Sequence, residues 1–307
     1  MLDRASTFAN PEIVHLLKTR FLPVALDQHS LRRQQDSEGD FYRKIVLQRS
    51  GKQPNEQNVK TAIQSTTQGF YIATASGDLL LYNNNRNPEK VLRLIKEKLQ
   101  EFDSLPEAAT TAIQRQKVDS RYNLEQPEGG LTVRVRAKVL GGYEKTDDQW
   151  QQIFQSAVSR DNLWISKSEH QAIVEGRIPD KLLTRIARFH LVDNTRGEPP
   201  MWNTDEIEHI DLKLKEGQLQ GSVRLKSKNA KRGYEATLKG TVEVKDNQVI
   251  RFDMIALGDF WGDGPYTRNA PKGKFPLAIS FSLADGKDVA DDIPPQGARG
   301  WVDGYLR

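Results

Sequence analysis

Cysteine is absent from the 307-residue chain. That absence excludes disulfides, thiolate metal sites, iron–sulfur clusters and thiol nucleophiles. Long apolar runs are also absent, since no stretch approaches the roughly 20 residues needed to span a bilayer. The N-terminus lacks the hydrophobic segment of a secretory signal. We therefore expect a cytoplasmic protein from the chain as given, and a periplasmic or secreted one if a leader and a first strand precede Met1.

A strong net charge is missing as well. The chain has 45 basic and 41 acidic residues, for a formal charge of +4, and this balance gives no reason to expect nucleic acid as a partner. Hydrophobic residues make up 37% and charged residues 28%, as in folded soluble proteins. The length favours two domains. We expect no cofactor and no metal, and the partner is a small molecule or another protein.

Catalytic motifs are lacking too. The five histidines are scattered and none has the spacing of a zinc-binding helix. The chain has no Gly-x-Ser-x-Gly elbow and no phosphate-binding loop with Gly-Lys-Ser/Thr. Whether the protein is an enzyme therefore stays open at the level of sequence.

The best-defined stretch runs from Thr66 to Phe102. Residues 70–75 and 79–82 are aromatic, aliphatic or β-branched and flank Ser76-Gly77-Asp78, which predicts two strands joined by a turn. Asn87 followed by Pro88 is a helix-start signal. The apolar residues that follow have helical spacing. This stretch predicts an antiparallel hairpin followed by an amphipathic helix.

A similar helix start, Asn10-Pro11-Glu12, precedes the apolar stripe of a short helix. Phe21–Asp27 is then predicted to be a short buried strand, and residues 28–49 are predicted to be helical. The order of these elements resembles the thioredoxin-like fold. The residues that match the family pattern are Phe8, Pro11, Glu12, Phe21, Pro23, Val24 and Asp27.

The resemblance covers about residues 5–105 and implies an α/β thioredoxin-like N-terminal domain over 1–105. The family's Cys-x-x-Cys should lie at or before residues 1–7, and its cis-proline near Thr67, but neither is there. Because dithiol exchange needs a thiolate, the domain is interpreted as degenerate. The alternative is a thiol oxidoreductase whose N-terminal active-site segment is missing from this chain, which predicts an unpaired sheet edge beside residues 22–27.

Residues 106–130 are predicted to be a linker that ends in Pro127-Glu128-Gly129-Gly130. Beyond it we expect helices at 147–158, at 169–175 with Ser168 as cap, and from Pro179 to about Phe189. Alternating or aliphatic segments predict an antiparallel sheet of about six strands in an α+β domain, 131–307. The predicted strands are 131–140, 207–215, 218–226, 234–245, 248–258 and 275–283.

Two polar-aromatic loops are the candidate binding site. The first supplies Arg188, His190, Asp193, Arg196 and Trp202, and the second supplies Asp259, Trp261, Asp263, Tyr266 and Arg268. If the loops converge, the tryptophans would stack on a ligand, the arginines would hold an anion and the carboxylates would accept from hydroxyls. The structural alternatives are a loop held by an Arg–carboxylate pair and an aromatic plug that closes the sheet.

A basic face formed by Arg134, Arg136, Lys138, Arg224, Lys226, Lys228, Lys231 and Arg232 would either meet phosphates or be a solvated sheet face. The leading hypothesis is a non-redox, two-domain binding or interaction protein with a C-terminal recognition domain. The enzymatic alternative is a hydrolase, which requires His190 beside Asp193 or Glu198 in an open cleft.

Overall fold

The computed structural model describes residues 6–61, 68–106, 118–119, 121–122, 124–298 and 302–306. The chain divides into two compact units, Asp3–Leu124 and Glu125–Arg307, the second grouped with Met1–Leu2. Residues 107–117, 120 and 123 of the predicted linker, and the position near Thr67, lie outside the described residues.

Within its described residues, the N-terminal unit combines five helices with a two-stranded sheet. A 3₁₀ turn at Thr7–Ala9 precedes α1 (Pro11–Arg20), α2 (Gln28–Leu31), α3 (Ser37–Arg49), α4 (Glu56–Thr61), β1 (Phe70–Ala73), β2 (Leu79–Asn83) and α5 (Pro88–Asp103). The hairpin and the helix after it are where the sequence placed them.

Local capping sets the helix starts. The Asn10 side chain accepts from the amides of Glu12 and Ile13 at 3.0 and 3.1 Å, and the Asn87 side chain accepts from the amide of Lys90 at 2.8 Å. Each asparagine satisfies amides that have no partner inside the helix. Both cap predictions are confirmed.

Helix α5 carries the apolar stripe that closes the N-terminal core. Val91, Ile95 and Leu99 are buried in one cluster with Ile13 of α1, because residues at i, i+4 and i+8 share a helix face. A second cluster joins Leu31, Tyr42 and Val46.

The predicted buried strand at Phe21–Asp27 is wrong. These residues form no strand and no helix, and Leu22, Val24 and Leu26 are exposed rather than buried. Apolar alternation favours an extended chain, but a strand also needs a backbone partner. Within the described residues β1 and β2 pair only with each other.

The C-terminal unit is built on a seven-stranded antiparallel sheet, so the predicted α+β class is confirmed. Its strand order is β4-β3-β9-β8-β7-β6-β5. The strands are β3 (Leu131–Val139), β4 (Asp161–Ile165), β5 (Ile207–Lys215), β6 (Gln218–Lys226), β7 (Gly233–Lys245), β8 (Gln248–Trp261) and β9 (Lys274–Leu283).

In the part of this unit that the structure describes, four helices accompany the sheet: α6 (Gln149–Ser156), α7 (Lys167–Val174), α8 (Asp180–Arg185), which continues as a π-helical turn at Ile186–His190, and α9 (Val302–Leu306). The cap of α7 is Ser166, which forms a capping box with Glu169, and not Ser168 as predicted. A reciprocal box satisfies two backbone donors, which explains the earlier start. Short 3₁₀ turns occupy Thr204–Glu206, Val289–Asp292 and Gln296–Ala298.

The two faces of the sheet differ because side chains alternate along each strand. The inner face is the core, with Phe252, Met254 and Phe260 of β8 almost fully buried. We call the opposite face, over strands β5–β9, the outer face. Its side chains on β5 to β8 include His209, Ser222, Arg224, Glu235, Thr237, Leu257 and Asp259, which are exposed or partly exposed.

Candidate functional site

The two candidate loops meet. The Arg196 guanidinium pairs with Asp193 in its own loop, with Nη2–Oδ2 at 2.6 Å, and reaches Asp263 of the second loop, with Nη1–Oδ1 at 2.9 Å. It also donates to the carbonyl of Thr267. Gly197 permits the contact, since a Cβ there would lie 2.1 Å from the Tyr266 carbonyl oxygen. The predicted binding site depended on convergence of the two loops, and the loops do converge.

The junction between the loops is closed. The side chains of Asp193 and Arg196 are each about 1% exposed, and Asp193 also accepts from the Thr195 amide and hydroxyl at 3.0 and 2.6 Å. Burial opposes the charge of Arg196, but Asp193 more than offsets it and raises the arginine pKa. Among these residues the arginine holds the loops together, and no anion can reach it.

Trp202 is also part of the packed interior. Its side chain is fully buried, its Nε1 donates to the Leu191 carbonyl at 2.8 Å, and the Arg232 guanidinium lies 3.8 Å from its ring centroid. Arg188 donates to the Trp202 carbonyl at 3.1 Å. The proposed stacking of a ligand on Trp202 is therefore wrong, because both its ring and its donor are already occupied.

His190 is buried away from its expected partners. Its Nε2 lies 2.7 Å from the Tyr305 hydroxyl, and its Nδ1 lies 3.2 Å from Asp161 Oδ2 without the angles of a hydrogen bond. The histidine is 2% exposed. The hydrolase alternative requires Asp193 or Glu198 beside an open imidazole, and this geometry does not supply it.

Asp259 and Trp261 belong to strand β8 rather than to a loop. Trp261 lies over Gly233, where a Cβ would fall 2.0 Å from its ring, and its Nε1 donates to the Ala230 carbonyl at 3.1 Å. The Lys274 ammonium lies 4.7 Å from the ring centroid. The ring therefore covers a glycine on the sheet surface. Tyr266 and Arg268 lie exposed in the loop that follows β8.

An open groove crosses the outer face beside Asp259. It has a volume of about 470 Å³, and its walls carry His209, Ser222, Arg224, Glu235, Thr237 and Asp259. Leu257, 44% exposed, adds apolar surface. Cross-strand register creates this row, because Arg224 faces Glu235 and Glu235 faces Asp259 across neighbouring strands. Sites of this kind combine a few polar groups with apolar surface.

The charges in the groove are only partly compensated. Arg224 Nε lies 3.7 Å from Glu235 Oε1, and Lys274 Nζ lies 3.0 Å from Glu235 Oε2. Within the described part of the chain, no cation lies within ion-pair distance of the exposed Asp259 carboxylate. Asp259 is thus an open acceptor in a groove that also contains the Arg224 donor, with Glu235 on the strand between them.

A second polar cluster lies at one end of the groove. His209 Nε2 is 3.1 Å from Ser222 Oγ and 3.3 Å from Asp211 Oδ1, and Asp211 accepts from the Ser222 amide at 3.0 Å. Burial acts to raise the pKa of Asp211, but the hydrogen bonds from the amide and hydroxyl of Ser222 outweigh it. The pKa of Asp211 is therefore lowered. Since the same histidine nitrogen meets both serine and carboxylate, the cluster is not a nucleophilic triad, but it presents hydrogen-bonding groups to the groove.

Several residues of the predicted basic face form ion pairs with nearby carboxylates, and Arg232 is buried against the Trp202 ring. Arg134 binds both Asp285 and Asp291, Lys226 lies 3.8 Å from Glu208, and Lys228 lies 2.7 Å from Asp205. Such pairing leaves no uniform positive field for a phosphate backbone. The solvated-face interpretation therefore describes the exposed residues of this set better, whereas for the buried Arg232 both interpretations are wrong.

The pairing near the C-terminus predicts a pH dependence. Arg134 lowers the pKa of Asp285, and the Ala290 amide and Arg160 lower the pKa of Asp288. A carboxylate with a lowered folded-state pKa stabilises the fold above its unfolded pKa of about 3.9 and loses that contribution as the pH falls through the folded value. We expect the melting temperature to fall between pH 4 and pH 2, and to fall less in Asp285→Asn. Equal falls in both proteins would contradict this assignment.

No group of three or more His, Cys, Asp or Glu residues capable of holding a metal occurs in the described ranges. In the same ranges, no helix is long and apolar enough to cross a bilayer. Comparison with models of protein families, with curated proteins and with solved structures found no match.

Proposed function

We propose that the chain is a non-redox binding protein whose C-terminal unit recognises a polar ligand in the groove of its outer face. The observation that carries this proposal is the open carboxylate of Asp259 on the wall of a groove of about 470 Å³ that Arg224 also lines. The N-terminal unit serves as scaffold, because a chain without cysteine performs no dithiol exchange.

The groove favours a small ligand rich in hydroxyls. Asp259 accepts from a hydroxyl, whereas Arg224 and Ser222 donate to one. Arg224 and Glu235 offset each other's charge, which gives no strong preference for an anion. Sugars and polyols present adjacent donors and acceptors of this kind, and Leu257 offers a surface for their C–H faces.

The thioredoxin-like resemblance remains part of the proposal for residues 5–105. It is supported by two capped helices and the hairpin that precedes the second of them, although residues 21–27 form no strand. In this proposal the module contributes packing and not catalysis.

An amide NMR titration of the full chain tests the ligand proposal. We expect glucose, N-acetylglucosamine or mannitol at millimolar concentration to shift the amides of residues 222–224, 235–237 and 257–259. Asp259→Ala should weaken the binding about tenfold, since a hydrogen bond to a charged group contributes about 1.5–3 kcal/mol.

The matched control is Asp253→Ala. Asp253 lies on the same strand and pairs with Arg251 at 2.6 Å, but it does not line the groove. This variant should bind like the unmodified chain. Shifts confined to other residues, stronger shifts with glutamate or AMP than with sugars, or equal effects of the two variants would each contradict the proposed site.

A further inference from the structure

Residues Phe21–Asp27 of the N-terminal unit carry an unusual exposed apolar pattern. Leu22, Val24 and Leu26 are 90%, 64% and 52% exposed. The segment begins and ends with extended dihedral angles, φ −128° and ψ 158° at Phe21 and φ −87° and ψ 107° at Asp27. Aliphatic residues at every second position of an extended chain lie on one face. The pattern is that of a strand face without a neighbour.

These residues form one wall of an apolar groove with a volume of about 420 Å³. Another wall is β1 and the residues after it, as far as Ala75. Tyr42 and Ile45 of α3, together with Leu99 and Phe102 of α5, complete the lining. The groove is therefore bounded by residues 21–26 on one side, by β1 on another and by helical apolar residues elsewhere.

The backbone of this wall is also available. Among the described residues, no hydrogen bond is formed by the N–H or C=O groups of Leu22–Leu26. Pro23 has no N–H, so the strand edge that contains it cannot pair fully. In a strand, the backbone N–H and C=O groups of every second residue point to the same edge. Leu22, Val24 and Leu26 share one such edge, and each of them has its backbone N–H donor. An unpaired edge of this kind is a template for another strand.

Two cationic side chains add hydrogen-bond donors to the apolar groove. Arg20 and Lys98 line it, and each forms one ion pair, with Asp103 at 2.6 Å and Glu101 at 2.5 Å, respectively. A guanidinium has five donors and an ammonium has three. Both therefore retain donors for a further carboxylate.

We propose that this groove binds an extended strand of a partner polypeptide. The strand has an aliphatic side chain at every second position and a carboxylate that meets Arg20 and Lys98. Its backbone pairs with the edge of Leu22, Val24 and Leu26, and its side chains fill the groove, as in other cases of strand addition. A two-stranded sheet is marginal by itself, and further strands stabilise it.

Fluorescence anisotropy on the full chain tests this inference. The probes are two fluorescein-labelled nine-residue peptides with valine at alternate positions and threonine between, one with a glutamate at its N-terminus and the other with a glutamate at its C-terminus. We expect at least one to bind, and its lysine-ended counterpart to bind several-fold more weakly. Addition of the peptide should slow amide hydrogen exchange at residues 22–26.

Two proline variants form the matched pair. Val24→Pro removes a donor from the pairing edge and should weaken binding at least tenfold, whereas Ala25→Pro removes one from the opposite edge and should change it less than threefold. Both sites lie in the exposed segment, and circular dichroism checks the fold. Equal weakening by both prolines, or absence of binding at 1 mM chain, would overturn the inference.

Analytical ultracentrifugation of the chain alone provides a further check. We expect the chain to be a monomer without the peptide. If it instead dimerises, and Val24→Pro abolishes the dimer, a second copy occupies the groove. That result would also overturn the inference. Since Asp259→Ala should leave peptide binding unchanged, failure here is distinguishable from failure of the outer-face proposal.

Discussion

Replacing Arg196 with methionine is expected to lower the free energy of unfolding of the C-terminal unit by about 3–5 kcal/mol, the usual cost of breaking a buried ion pair. The variant leaves the Asp193 carboxylate, about 1% exposed, without its cation. It also removes the contacts to Asp263 and to the Thr267 carbonyl. Urea unfolding followed by far-ultraviolet circular dichroism measures the change.

Two further variants separate charge from shape. Arg268→Met removes an exposed arginine from the second loop and should change the stability by no more than about 0.5 kcal/mol. In the double variant Asp193→Asn with Arg196→Met, the uncompensated charge is gone, so part of the loss should be recovered. If Arg196→Met costs no more than Arg268→Met, the junction does not hold the loops together.

The same junction shows what sequence could and could not predict. His, Asp, Arg and Trp within one short loop were visible as a cluster, and so was the second cluster near the end of β8. However, Arg196 and Asp263 are 67 positions apart, and composition cannot show that they close on each other. The polar types that suggested a ligand site are used by the fold itself, as with many clusters of ionisable groups.

Sequence signals were reliable for features that depend on contacts between residues close together in the chain. Asn10 and Asn87 cap helices through contacts within three residues. The strands at 207–215 and 218–226 were predicted from the alternation of apolar and polar residues alone, which has a period of two. Phe21–Asp27 shows the limit. Its alternation indicates an extended chain, but only a partner strand can turn such a chain into sheet.

The groove on the outer face was largely missed for a related reason. Asp259 was singled out with Trp261, but the groove also takes His209, Ser222 and Thr237 from three other strands. Each is an ordinary outward residue of an alternating strand. The signal that could have found them is the cross-strand register, which depends on turn geometry across the whole sheet.

Replacing Arg185 with methionine is the second substitution with a large expected effect. Its guanidinium binds both Glu169 oxygens, at 2.7 and 2.8 Å, and donates to the carbonyl of Tyr305 at 2.7 Å. The side chain is 2% exposed, and it joins helices α7 and α8 to α9. We expect a loss of about 3–5 kcal/mol, or a fall of about 10 °C in the melting temperature of the C-terminal unit.

An ion pair of the same kind but on the surface provides the control. Arg177 pairs with Glu175 at 2.6 Å, yet its side chain is 67% exposed, so Arg177→Met should cost less than about 1 kcal/mol. Both variants remove one arginine from one glutamate, so their difference reports burial together with the carbonyl contacts that only Arg185 makes. Similar melting temperatures for the two would mean that Arg185 does not anchor the C-terminal helix. A large difference would show that the buried ion pair of Arg185 stabilises the fold far more than the exposed pair of Arg177 does.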